Sequence, residues 1–204
     1  VINNNVIYDN PASPTMDYGI YVNVSSGTIT NTSFYNNTIS GGVGVYISGG
    51  TNAINIKNNI ISTGTGLKAL NVPTGTVSDY NCLYPEAANY ITYGGTNYST
   101  LALYAAGKSQ DTHSISSDPL FMTATDFHLQ STSPCKATGT SLAGTFTTDY
   151  LGRTRSAWDM GAYAYTSTYH VANTAGDDVD WTTIAQVNAA TFASGDSVLF
   201  NKGD

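Results

Sequence analysis

The chain has 204 residues, including 20 Gly and 15 Tyr, and only 10% are charged, against about a quarter in an ordinary soluble domain. Seven Lys and Arg against fourteen Asp and Glu give a net charge of −7 with no basic stripe, which argues against nucleic acid and anionic lipid as partners. No apolar run approaches the ~18 residues that cross a bilayer, so no membrane span is expected, and the wealth of Asn, Ser, Thr, Gly and Tyr suits flat β faces joined by tight turns.

Residues 1–10 read as the end of one coil of a repeat, with Asn4-Asn5 at its corner. Asp9 to Tyr18, containing Pro11 and Pro14, reads as a polar insertion. Coils are then expected at about 19–40, 42–62 and 64–84. Their signature is a spaced turn motif: Asn36-Asn37-Thr38-Ile39, then Asn58-Asn59-Ile60-Ile61, then the degenerate Tyr80-Asn81-Cys82-Leu83. Asn37, Asn59 and Asn81 lie 22 residues apart in each step, and Gly44 and Gly66 keep the same interval. A fixed period of this length marks a solenoid. Within it, Gly44-Val45-Tyr46-Ile47 and Ile54-Asn55-Ile56 alternate with period two, so the coils are strands.

Asparagine suits such a corner because it tolerates the left-handed backbone and its amide can bond the amide of the next coil. Asn37, Asn59 and Asn81 are therefore expected to superpose at ~4.8 Å per step. Ile20, Val22, Ile29, Phe34 and Ile39 are the inward positions of the first full coil. Cys82 stands where the other coils carry Ile and reads as a small buried hydrophobe, with a disulfide to Cys135 left open as the alternative.

Past Tyr84 the period fails. Ser99 or Thr100 can cap a short Leu- and Ala-rich helix that Gly107 would end. Three strings follow, with Ser114-Ile115 and Asp118-Pro119-Leu120-Phe121, Asp126-Phe127-His128-Leu129 with Ser133-Pro134 and Gly139, and Asp149, Gly152-Arg153 and Asp159-Met160-Gly161-Ala162-Tyr163. Together they resemble the C-terminal end of secreted bacterial right-handed parallel β-helix proteins of the pectate-lyase-like superfamily, over roughly residues 19–165. The resemblance implies that these motifs close the helix, and that Asp149, Arg153 and Asp159 form an ion pair fixing the last turn. It implies no single chemistry, since the superfamily holds lyases, hydrolases, epimerases and noncatalytic surface proteins.

Tyr169-His170-Val171, Asp177-Asp178, Trp181 to Ile184 and Gly195 to Phe200 look like the opening of the same family, after a linker near Thr166 to Tyr169. The expected organisation is an all-β, right-handed parallel β-helix over 1–165 and a short capping segment, the start of a second β-helix, over 166–204. Val1 enters a coil directly, so the chain is expected to be an excerpt of a longer exported protein. It is also expected to pair head to tail, with the 167–204 segment covering residues 1–7 of a neighbour.

Lyases of this resemblance need calcium and an Arg or Lys base, and hydrolases need paired carboxylates. The coils offer only Asp9, Asp17, Lys57, Lys68 and Asp79. No catalytic residue or cofactor is assigned, and calcium at Asp177, Asp178 and Asp180 is weighed against a solvated turn. His113, His128 and His170 show no metal spacing. Lys57, Tyr35 and Tyr46 are the candidate glycan contacts, within a set of coil tyrosines that could stack on sugars. The expected function is a noncatalytic extracellular or cell-surface module, structural or glycan-contacting. The alternative is the tail of a polysaccharide lyase or glycoside hydrolase whose active site lies on other coils.

Overall fold

Four residues, Asn4, Asn36, Asn58 and Tyr80, sit in the left-handed region with φ of 56°, 49°, 58° and 59°. Each turns the chain sharply between two strands, and the bend repeats from coil to coil. The computed structural model describes residues 1–9, 18–24, 31–49, 53–64, 66–171, 184–192 and 195–200. A partial coil comes first, with β1 (Ile2–Asn3) and β2 (Val6–Tyr8). Three full coils follow: β3 (Tyr18–Asn23), β4 (Thr32–Tyr35) and β5 (Thr38–Ser40); β6 (Val43–Ser48), β7 (Ile54–Lys57) and β8 (Ile60–Ser62); β9 (Leu70–Val72), β10 (Thr76–Asp79) and β11 (Cys82–Tyr84). Beyond them lie β12 (Ile91–Tyr93), β13 (Thr96–Tyr98) and helix α1 (Leu101–Lys108). After the closing segment come β14 (Thr168–Val171), α2 (Ile184–Ala189) and β15 (Ser197–Phe200).

Each coil gives one strand to each of three sheets, ordered β1-β4-β7-β10, β2-β5-β8-β11 and β3-β6-β9-β12-β13. The pairing between coils is parallel throughout these three sheets, and within them the β12–β13 hairpin is antiparallel. The fold is a right-handed parallel β-helix. Its core is a set of stacks running along the axis, in which Phe34 lies opposite Ile56, Ile39 opposite Ile61 and then Leu83, and Val45 opposite Leu70 and then Ile91. These side chains are almost wholly excluded from water, and each fully buried Ile, Leu or Phe contributes ~1.5–3 kcal/mol relative to exposure. Among the expected inward positions, Ile20 and Val22 join this core, while Ile29 lies outside the described residues.

The 22-residue step holds in two sheets and fails in the third. Phe34 to Ile56 and Ile39 to Ile61 are steps of 22, but Ile20 to Val45 and Val45 to Leu70 are steps of 25. Gly44 therefore does not stack on Gly66, contrary to the equal spacing in sequence. The cause is compensating connections: two residues, 41–42, precede β6 and five, 49–53, follow it, whereas seven, 63–69, precede β9 and three, 73–75, follow it. The two glycines have unrelated reasons to be glycine. A Cβ on Gly44 would lie 2.3 Å from both the Ala69 carbonyl oxygen and Ile61 Cγ2, so the next coil passes where the side chain would be. Gly66 has open space around it and a φ of +80°, the requirement of a turn.

Helix α1 closes one end of the stack, burying Leu101 and Tyr104 on the core. Thr100 is its N-cap, accepting from the Leu103 N–H at 3.2 Å. Gly107 lies inside the helix, and the left-handed residue that ends it is Ser109, φ 53°. The chain then returns through Ile115, which pairs in parallel with Cys82, and runs back over the asparagine corner. In the last segment β14 pairs in parallel with β15. Asp177, Asp178, Asp180 and Trp181 lie outside the described residues, as does Asp17.

Candidate functional site

The corner is built from two parallel rows of side chains. In the inner row, Asn5 Nδ2 donates to Asn37 Oδ1 (2.9 Å), Asn37 to Asn59 (2.9 Å), Asn59 to Asn81 (3.0 Å) and Asn81 to Asp111 Oδ1 (3.1 Å). The Asn59 and Asn81 amides also donate to Phe34 O and Ile56 O at 2.8 and 2.9 Å, one coil back. Asn37, Asn59 and Asn81 are thus each committed to fixing the turn. Asp111, reached by no repeat, ends the row from a left-handed backbone, φ 51°. It is 2% exposed, and its Oδ2 has no hydrogen-bond partner among the described residues. Burial pushes its carboxyl above the usual carboxylate range, against hydrogen bonds from Ser114, Ser78 and Asn81.

The outer row, Asn4, Asn36 and Asn58, receives the closing segment. Asn58 Nδ2 donates to Thr140 O (2.8 Å), Asn36 Nδ2 to Asp159 O (2.8 Å) and Asn4 Nδ2 to Thr148 O (2.7 Å). Asp149 and Asp159 are buried here and bonded by backbone N–H groups: Leu151, Arg153 and Ala164 donate to the first, Ala137 and Tyr165 to the second. The expected ion pair of Arg153 with these carboxylates is absent from the described ion pairs. Arg153 is half-buried and meets Asp149 through its own N–H. The buried guanidinium is instead Arg155, whose Nη2 donates to Asn4 Oδ1, Gly161 O and Ala162 O at 2.9–3.0 Å. Burial lowers Arg155 to about 10, resisted by the fields of Asp159 and Asp149. Burial raises Asp159, and the N–H groups of Tyr165 and Ala137 oppose it.

Two outward faces carry the remaining candidates, and they part residues that the sequence reading grouped. On the sheet of β3, β6 and β9, register aligns Tyr21, Tyr46, Asn71, Thr92 and Asn97 in one transverse row. Tyr18, Tyr21 and Tyr46 form a cluster with ring centroids 5.0–5.5 Å apart. Tyr18 and Tyr21 are 40% and 51% exposed. Lys68 Nζ donates to Thr92 Oγ1 at 2.5 Å and to Asn97 Oδ1 at 3.4 Å, fixing a cation at the far end of the row. Beside it lies a shallow cleft of about 280 Å³ walled by Tyr46, Ser48, Gly49, Asn71 and Pro73.

Tyr35 and Lys57 stand on a different face, on β4 and β7, in the register Asn3, Tyr35, Lys57, Asp79. Sequence reasoning missed what completes this row. His113 Nδ1 bonds Asp79 Oδ2 at 2.7 Å, its N–H donates to Asp79 Oδ1 at 2.8 Å, and its ring stacks on Tyr80 with centroids 4.6 Å apart. Nδ1 is occupied by the carboxylate, so Nε2 is the ring nitrogen left to act. A second pair of the same kind joins His128 Nδ1 to Asp126 Oδ1 at 2.6 Å, with His128 stacked on Tyr163. The His128 bond holds Asp126 below the usual carboxylate range. Both histidines lie in the non-repeating segment, where no period signals which residues they meet.

Among the described residues no three His, Cys, Asp or Glu side chains gather as a metal site, and the calcium candidates lie outside them. No described helix is long and apolar enough to cross a membrane. Residues 1–100 match the family model described as a right handed beta helix region, in agreement with the coils observed. No curated protein and no solved structure matches the chain.

Proposed function

We propose that this right-handed β-helix is a noncatalytic module of a secreted or cell-surface protein that contacts a polysaccharide through the outward face of β3, β6 and β9. The observation that carries the reading is the three-tyrosine cluster, of which Tyr21 and Tyr46 stand in register with Asn71, Thr92 and Asn97, the last two bonded by Lys68. Tyrosine rings offer flat apolar faces to the C–H surface of a sugar, while amides and hydroxyls bond its hydroxyl groups. Rigid strands hold the rings in place, so little side-chain order is lost on binding. The thin charge inventory supports the noncatalytic part: Asp9 and Asp79 are the carboxylates of the described coils, whereas glycoside hydrolysis ordinarily uses two that flank one bond.

Titration calorimetry and affinity electrophoresis against neutral and acidic polysaccharides test the reading. Tyr46→Ala is expected to weaken binding by about tenfold, near the upper end of an aromatic contact. Lys68→Ala should weaken acidic glycans only. Absence of binding to every glycan tried would leave a purely structural module.

The second reading, the tail of a polysaccharide lyase or hydrolase, draws on one observation, the Asp79–His113 pair beside Lys57. The chain alone is expected to release neither unsaturated nor reducing ends. Release that disappears in Lys57→Ala or His113→Ala would favour the enzyme.

A further inference from the structure

The chain has two cysteines, 53 positions apart, and the fold brings them to one place. Cys82 opens β11 directly above Ile60, and Cys135 lies in the closing segment that crosses the corner. Both are 0% exposed and belong to a satellite core with Ile60, Leu129 and Met160. Their thiols are free and share this one buried cluster, and Cys82 Sγ donates to Ser117 O at 3.2 Å. Cys135 is held from a second side, its carbonyl accepting from Met160 N–H at 3.0 Å.

We propose that Cys82 and Cys135 are an oxidation site, joined as a cystine that fastens the closing segment to the third coil. The chemistry is thiol–disulfide exchange with an external disulfide of the R–S–S–R class. One cysteine thiolate attacks the donor and releases the first RSH, giving a mixed disulfide. The second thiolate then displaces the other RSH, so two cysteine protons and two electrons leave as the donor is reduced. Timing follows from burial. Once the closing segment is docked neither sulfur meets solvent, and the Cys82 contact together with burial pushes the Cys135 thiol up, away from the reactive thiolate. The bond therefore forms before docking is complete and is sheltered from reductants afterwards. It would hold the closing segment on Asn4, Asn36 and Asn58 even if single hydrogen bonds opened.

The test uses the full chain, denatured, reduced, and refolded with oxidised and reduced glutathione. Iodoacetamide is added in denaturant and the mass is read. The expected result is no alkylated thiol, a peptide linking Cys82 to Cys135, and two alkylated thiols after reduction. The melting temperature should fall on reduction in the wild type and stay unchanged in the Cys82→Ala, Cys135→Ala double variant. Two reactive thiols in the refolded chain would overturn the proposal, as would a cross-link between molecules or a cross-linked chain that melts below the reduced one. The thiol count decides the matter even where the double variant fails to fold.

Discussion

Asp111 is a carboxylate in a place built for an amide. It extends the asparagine row from a left-handed backbone that Asn5, Asn37, Asn59 and Asn81 do not share, and it is buried, yet one of its oxygens has no partner among the described residues. Its folded pKa is raised, so the folded state binds the proton more tightly than the unfolded chain. Its contribution is therefore fully present below the unfolded value of about 3.9 and is lost as pH rises from there through the raised folded value. Asp111→Asn keeps the acceptor for Asn81 and removes the buried charge. It is expected to raise stability at neutral pH by about 1–3 kcal/mol and to flatten this part of the pH profile. Thermal melts between acid and neutral pH check it, and a loss of stability at neutral pH would reject the account. The two arginines give a second contrast. Arg155→Ala removes a buried guanidinium that bonds Asn4 Oδ1, Gly161 O and Ala162 O and whose charge faces Asp159 and Asp149, and should cost about 3–5 kcal/mol, while Arg153→Ala should stay within about 1 kcal/mol. Chemical denaturation of both variants separates them.

At the scale of strands and turns, the parts legible in the sequence are those where one side chain is required by its own chemistry. Asn37, Asn59 and Asn81 recur because an amide must donate to one coil and accept from another, so the corner and the period-two strands could be read directly. The register of β3, β6 and β9 could not, because the short connection before β6 is offset by a long one after it, and the long connection before β9 by a short one after it, so the 22-residue total hides the shift. Nor could the choice of Arg155 over Arg153, since two basic residues two apart in irregular chain carry no period to say which faces in. His113 meets Asp79 across 34 positions for the same reason. Glycine substitutions test the turn account. Gly44→Ala is expected to prevent stable folding, because the Ala69 backbone cannot yield the space. Gly66→Ala, in open space but left-handed, should cost only about 1 kcal/mol. Expression and melting of the two variants side by side would expose an error if they behaved alike.

At the scale of the whole molecule the two ends of the stack differ. Helix α1, the β12–β13 hairpin and the bridge from Ile115 to Cys82 cover one end. At the other, β1, β2 and β3 are each the outer strand of their sheet, and such an edge is a template for added strands. The proposed head-to-tail pairing uses this edge, with the 167–204 segment of one copy on residues 1–7 of the next. Scattering mass is expected to rise with concentration, and to stop rising when a proline at Val6 removes a donor from β2. A monomer at every concentration would end that proposal.

The asparagine row has a direction. Every amide passes its N–H forward, from Asn5 towards Asn81, and the last acceptor is an acid. An amide both receives and hands on, whereas a carboxylate only receives, so Asp111 acts as a stop codon written in hydrogen bonds. A duplicated coil carrying its own Asn-Asn corner can be added ahead of Asn4 without changing the grammar of the row or the seats of the closing segment on Asn4, Asn36 and Asn58, and nowhere beyond Asp111. The length of such a solenoid is then free to vary through gene duplication while its terminus stays fixed in chemistry, and Asp111→Asn is the one substitution that would erase the stop.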